Sequence, residues 1–327
     1  MFIALGALSS LAAGVAGIGT VASALPRAAI LHASESRRLR GLVQRYGMRL
    51  GAARFVAGET LDECVVVLRR LNEAGLHANT TLLGEAIPDD ADAEAATSAY
   101  ETILDRIAHE GLKTNIALKL THLGLSFDEE TAYANVERVV RHAARVGNFV
   151  RIDMEQSAVL DATLRTFRRL REAGHANVGT VLQSYLYRSA DDLERLLPLE
   201  PNLRIVKGAY LEPPSIAYPQ KRDVDDAYVR LVERGLRGGA YIAVATHDER
   251  IVSHVQAFTR REDIPHERFE FQMLYGVRPA LQRRIARQGY KVLVATPFGP
   301  EWYPYLMRRL AERPANLAFF LRSLVRR

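Results

Sequence analysis

The chain has a single cysteine, Cys64, among its 327 residues. That excludes an intramolecular disulfide and a cysteine metal cluster, and it fits a reducing, cytoplasmic compartment. Charge of one sign is not concentrated either. Lys and Arg number 44 against 38 Asp and Glu, a net charge of +6, yet the Arg-Arg pairs at 37–38, 168–169, 260–261, 283–284 and 308–309 are scattered. Nucleic-acid recognition needs a clustered basic footprint and is not expected. A diffuse positive surface suits peripheral contact with an anionic membrane instead. No HExxH and no paired His at ligand spacing is present, so no metal site is expected. The GxSxG turn of a serine nucleophile is missing. Gly14, Gly17 and Gly19 stand in the order GxxGxG with no strand before them, which is not the dinucleotide fingerprint. Residues 1–25 carry no charge at all. They are long enough to span a bilayer but rich in Ala, Gly and Ser, and they lack the basic start of a secretory signal. An apolar helical arm, a membrane-associating segment and a disordered leader all remain open for them. Arg27, Arg37, Arg38 and Arg40 would hold the rest of the chain on the cytoplasmic side.

What is present is a rhythm. Apolar runs at 77–83, 115–120, 149–154, 178–185, 203–209, 241–247, 268–274 and 291–296 read as strands. Helical patterns at 91–110, 129–145, 157–172, 190–197, 223–237, 249–260, 277–288 and 301–311 alternate with them. Gly111, Gly147, Gly174, Gly238 and Gly289 end helices before the next strand. Thr60 and Glu63 form a capping box for a helix running to about Glu73. Eight strands alternating with helices predict an α/β fold, a (β/α)8 TIM-type barrel; a doubly wound open sheet is the alternative. The expected organisation is an apolar N-terminal segment at 1–33, a helical arm at 34–76 and a catalytic barrel at 77–327.

Barrels place chemistry at the carboxyl ends of their strands. The stretch from Leu203 to Tyr210 is the most telling: Arg204 and Lys207 stand in an apolar run that ends in Gly208-Ala209. Buried cations are unfavourable unless paired, so this strand is expected to hold an anionic group. Lys119 and Lys207 on strands facing the mouth also permit a Schiff-base aldolase. Arg308 and Arg309, with Glu312 one turn on, suit a carboxylate through bidentate forks; an exposed basic face is the plainer reading.

Eight motifs in order resemble the proline dehydrogenase family. They are Leu82-Leu83-Gly84-Glu85, Leu118-Lys119-Leu120-Thr121, Arg151-Ile152-Asp153-Met154-Glu155, Val181-Leu182-Gln183-Ser184-Tyr185, Val206-Lys207-Gly208-Ala209-Tyr210-Leu211-Glu212, Ala245-Thr246-His247-Asp248, Phe269-Glu270-Phe271-Gln272-Met273-Leu274-Tyr275-Gly276 and Arg308-Arg309-Leu310-Ala311-Glu312. The resemblance implies FAD-dependent oxidation of L-proline to Δ1-pyrroline-5-carboxylate, with electrons passed on to a membrane quinone. It implies that Lys119, Arg308 and Arg309 hold the substrate carboxylate, and that Tyr210 and Leu274 wall the pocket. Asp153 and Arg204 are implied beside the flavin. Met154, Gln183, Lys207, Gly208, Ala209, Thr246, His247 and Gln272 are implied to line the cofactor. Two positions depart from the family pattern: Thr81 replaces an acidic residue, and Ala295 replaces a tyrosine that packs on the substrate ring. Ala295 leaves room for 4-hydroxyproline or another proline analogue; loss of both residues also fits a flavin-binding homologue without turnover.

Overall fold

The computed structural model describes Met48, residues 52–84 and residues 87–312, with residues 308–312 described as helical backbone alone. The apolar segment at 1–33 lies outside the described residues, as does Glu85. Residues 57–300 form one compact unit, and the described residues 52–56 and 301–312 belong to a second, smaller one.

In the larger unit the helix α1 (Leu61–Glu73) leads into eight parallel strands. These are β1 (His77–Leu82), β2 (Thr114–Leu118), β3 (Val150–Ile152), β4 (Val178–Gln183), β5 (Asn202–Val206), β6 (Tyr241–Ala245), β7 (Phe269–Leu274) and β8 (Val292–Phe298). They pair in sequence order and β8 closes on β1, with Ala78 opposite Val294. The closed barrel excludes the open-sheet alternative. The connecting helices are α2 (Asp90–His109), α3 (Glu129–Arg145), α4 (Leu160–Glu172), α5 (Ser189–Leu196), α6 (Lys221–Arg237), α7 (Glu249–Arg261) and α8 (Pro279–Arg287). A further helix, α9 (Trp302–Glu312), belongs to the smaller unit.

Local chemistry explains the boundaries. Thr60 Oγ1 accepts from the Glu63 N–H while the Glu63 carboxylate accepts from the Thr60 N–H, which closes the capping box that starts α1. Most strands end sooner than their apolar runs do. Lys119, Asp153, Lys207 and His247 all lie just past a strand, on the loops that rise from the barrel. Lys119 and Lys207, expected on strands, are therefore loop residues. The helix before β6 ends at Gly238, but Gly239 is the residue that takes the left-handed conformation, at φ 89°.

The two faces of the strands differ sharply. One face points outward under the helices. Ile116, Leu118, Val150, Ile152, Leu203, Ile205, Val244, Phe271 and Val294 on it are fully buried. Phe167 of α4 and Phe258 of α7 are buried from the helix side. Burying each such side chain contributes about 1.5–3 kcal/mol. The other face points to the barrel axis. Its register partners are Asn79 with Asn115 and Ala295, Ala117 with Arg151, Arg151 with Gly179, Val181 with Arg204, and Glu270 with Ala243. Small residues make room for large polar ones there. A Cβ on Gly179 would stand 2.5 Å from Arg151 Nη1.

Candidate active site

Arg204 of β5 is held from three other strands. Its Nε donates to Gln272 Oε1 at 2.5 Å, Nη1 to Asp153 Oδ1 at 2.6 Å and Nη2 to Asn79 Oδ1 at 2.9 Å. The four residues come from β7, the end of β3, β1 and β5. That is the packing rule of such barrels, in which one interior layer draws a side chain from each alternate strand; here the layer is polar. The cation that looked out of place in its strand is thus paired. Three of its five N–H donors are used, and two have no partner among the described residues.

The polar column continues down the axis. Asn79 Nδ2 donates to Asn115 Oδ1 at 2.5 Å. Gln272 Nε2 donates to Glu270 Oε1 at 2.5 Å, and Glu270 Oε2 accepts from Tyr241 OH at 2.9 Å and lies 2.8 Å from Lys291 Nζ. Burial pushes the Glu270 carboxyl up, but Lys291 and its other partners together outweigh burial and leave it below the usual carboxylate range. Burial, and then the Glu270 charge, push the Tyr241 phenol up. Arg151 donates to the Thr180 and Asn202 carbonyls at 2.9 and 2.7 Å. Burial, and then the Arg204 charge, pull Arg151 down to about 9.

At the mouth, Lys119 precedes a 3-10 turn at Leu120–Leu123. Its charge acts on two neighbours. Burial raises the Glu155 carboxyl against the opposing pull of the Thr121 hydrogen bonds and of Lys119. Burial, and then Lys119, lower His122 to about 4. Glu155 accepts from Thr121 Oγ1 at 2.7 Å and is an acidic neighbour of Lys119. Lys207 lies 2.5 Å from Asp225 of α6, a partner that sequence reading missed. Asp225 sits inside a helical pattern with no signal of its own. Thr246 Oγ1 accepts from the Asp248 N–H at 3.1 Å, and Asp248 caps α7. His247 Nε2 accepts from the Leu274 N–H at 2.9 Å, which puts the ring proton of a neutral imidazole on Nδ1. Met154 is buried, while Ala209, Tyr210 and Leu274 are half-buried. Ser157 and Glu212 clasp the loops after β3 and β5 through two bonds of 2.7 Å. Gln183 Nε2 donates to the Glu155 carbonyl, whereas its buried Oε1 has no partner among the described residues. The side chains of Arg308 and Arg309 lie outside the described residues.

The family model for proline dehydrogenase matches residues 64–322. The chain belongs to the proline dehydrogenase family. It is 43% identical over 308 residues to the proline dehydrogenase of Deinococcus radiodurans, covering 92% of this chain and 98% of that one. Identity to proline dehydrogenase 1 of Bacillus subtilis (strain 168) is 39% over 301 residues, 92% of this chain and 99% of that one. Among solved structures, proline utilization A (PutA) from Bdellovibrio bacteriovorus, inactivated by N-propargylglycine, superposes with a TM-score of 0.76 at 26% identity. That match covers 85% of this chain and 34% of the longer PutA chain. The chain is therefore an enzyme, an oxidoreductase of this family with the barrel at its centre. Among the described residues no helix is long and apolar enough to cross a membrane.

Proposed function

We propose that this enzyme oxidises L-proline to Δ1-pyrroline-5-carboxylate with FAD bound at the carboxyl ends of β4 to β7, and that a membrane quinone takes the electrons. Arg204 supports the reading most strongly: it is a buried cation fixed from three sides, with N–H donors to spare. When bound, FAD supplies a two-electron acceptor for the hydride leaving the carbon beside the ring nitrogen. A prepositioned cation favours the negative charge that arrives with a hydride, because no reorganisation is needed at that moment.

The residues fit the group. The orphaned Gln183 Oε1 needs a donor, and a flavin carries both N–H and hydroxyl donors. Gly208 has φ 120°, and a Cβ there would stand 2.4 Å from the Tyr185 ring, so only glycine lets the loop pass. In this reading Met154, Lys207, Ala209, Thr246, His247 and Gln272 complete the cofactor seat. Asp153 keeps Arg204 in place. Lys119, Arg308 and Arg309 orient the substrate carboxylate, and fixed orientation is a large share of catalysis. Tyr210 and Leu274 wall the substrate.

Ala295 favours a second reading, oxidation of 4-hydroxyproline. It stands beside Leu274 in register and is only half-buried, so the pocket has space where the family has a tyrosine ring. The visible spectrum of the purified protein tests both. A yellow protein bleached by L-proline without oxygen, then reoxidised by a quinone analogue, supports the first reading. Bleaching by 4-hydroxyproline alone supports the second. A colourless protein that takes up no added FAD overturns the flavin assignment.

A further inference from the structure

A second ion pair, between buried Glu270 and the exposed Lys291, is one that hydride transfer does not call on. Lys291 immediately precedes β8, Tyr241 is the first residue of β6 and Glu270 is the second of β7. All three lie at the end of the barrel away from the mouth, where residues ordinarily serve stability alone. Their hydrogen bonds, however, lead to Arg204.

Arginine has donors and no acceptor. Gln272 must therefore turn Oε1 toward Arg204 Nε, which it meets at 2.5 Å. Its NH2 group then points back into the barrel, where an unpaired donor is costly. Glu270 Oε1 receives it at 2.5 Å. An ionised carboxylate only accepts, so it cannot tolerate the amide turned round. Lys291 at 2.8 Å and Tyr241 at 2.9 Å stabilise that ionised form on the other oxygen. The groups bearing charge or titrating around Glu270 are Lys291, Tyr241, Arg151 and, at the start of β1, His77.

We propose that Glu270 is a positioning residue for the oxidation: through Gln272 it fixes the Arg204 guanidinium, and Lys291 keeps it able to do so. The proposal rests on the reading of Arg204 given above. Glu270→Gln tests it, because a neutral amide can show Gln272 either its oxygen or its nitrogen. The expected result is a kcat for L-proline lower by about ten- to a hundredfold, with KM within about threefold, since the carboxylate-binding residues are untouched. The midpoint potential of bound flavin falls as Arg204 loses its fixed place. A crystal structure of the variant shows the Gln272 amide and the guanidinium displaced.

Lys291→Met gives a second, independent readout. It strips Glu270 of its ion-pair partner and leaves Arg151 as the cation nearby, so the buried carboxyl takes up a proton at higher pH. A protonated carboxyl can donate, Gln272 turns, and kcat gains an acidic limb that the wild type lacks. Combining Lys291→Met with Glu270→Gln removes that limb, because the carboxyl that would take up the proton is gone. A merely structural pair would lower Tm and leave kcat, potential and pH profile unchanged, and a folded Glu270→Gln variant of that kind overturns the proposal. An active but colourless wild type overturns the flavin reading instead, while kcat and the pH profile still decide the role of Glu270.

Discussion

The outward and inward faces of the eight strands draw alternate residues from the same short runs, yet they hold the barrel by different means. Outside, Ile116, Val150, Leu203 and Phe271 are buried against helices. Their contribution scales with area and has no direction. Inside, Arg204, Asp153, Gln272 and Asn79 meet through donors and acceptors that must point the right way. A loss outside weakens the whole molecule evenly. A loss inside also misaligns one charge.

Substitutions can break that contrast. Arg204→Met should have the largest effect. It leaves Asp153, Asn79 and Gln272 without their donor, destabilises by about 3 kcal/mol as breaking a buried pair does, and lowers kcat/KM for L-proline by about a thousandfold. Urea unfolding with steady-state kinetics measures both. Phe271→Ala should match that stability loss, at about 3–5 kcal/mol, while the folded fraction keeps kcat and KM within about twofold. Equal kinetic damage from the two variants would erase the distinction between the faces. Ala295→Tyr, on the inward face, should favour L-proline over 4-hydroxyproline by about tenfold without changing Tm, a typical range for one pocket wall. Unchanged discrimination would remove Ala295 from the substrate pocket.

The last effect is one of pH. His122 is lowered from 6.5 to about 4 in the folded protein, so the unfolded chain binds its proton more readily across that interval. Its contribution is fully present above 6.5 and is lost as pH falls toward 4. His122→Gln should flatten the fall in Tm over that window; an unchanged slope would place the acid sensitivity elsewhere.

The strand-helix rhythm made the closed barrel legible, because each outward face is an apolar run broken by turn residues. Most apolar runs outlast their strands, since an apolar run does not stop where pairing stops: β3 pairs only over Val150–Ile152, whereas β8 runs on to Phe298. Family motifs pointed to Arg204, Asp153 and Gln272 one by one. Their joining did not show, nor did Asn79 and Glu270 as members. Arg204 meets Asp153 across 51 positions, Gln272 across 68 and Asn79 across 125. Only barrel closure and register set such pairs. Asp225 was hidden for the same reason, 18 positions from Lys207 in a helix that reads as solvent-facing.

The polar layer also has a timetable. Asn79, Asp153 and Arg204 leave the ribosome before Gln272, and the last 68 residues of that span take roughly 3–14 s to synthesise. Through that interval the nascent chain carries the cation without one of its three partners. β8, which closes the ring against β1, emerges later still. A molecule that rests on this arginine therefore meets the complete polar layer only once β7 has been made, and the closed ring only once β8 has followed.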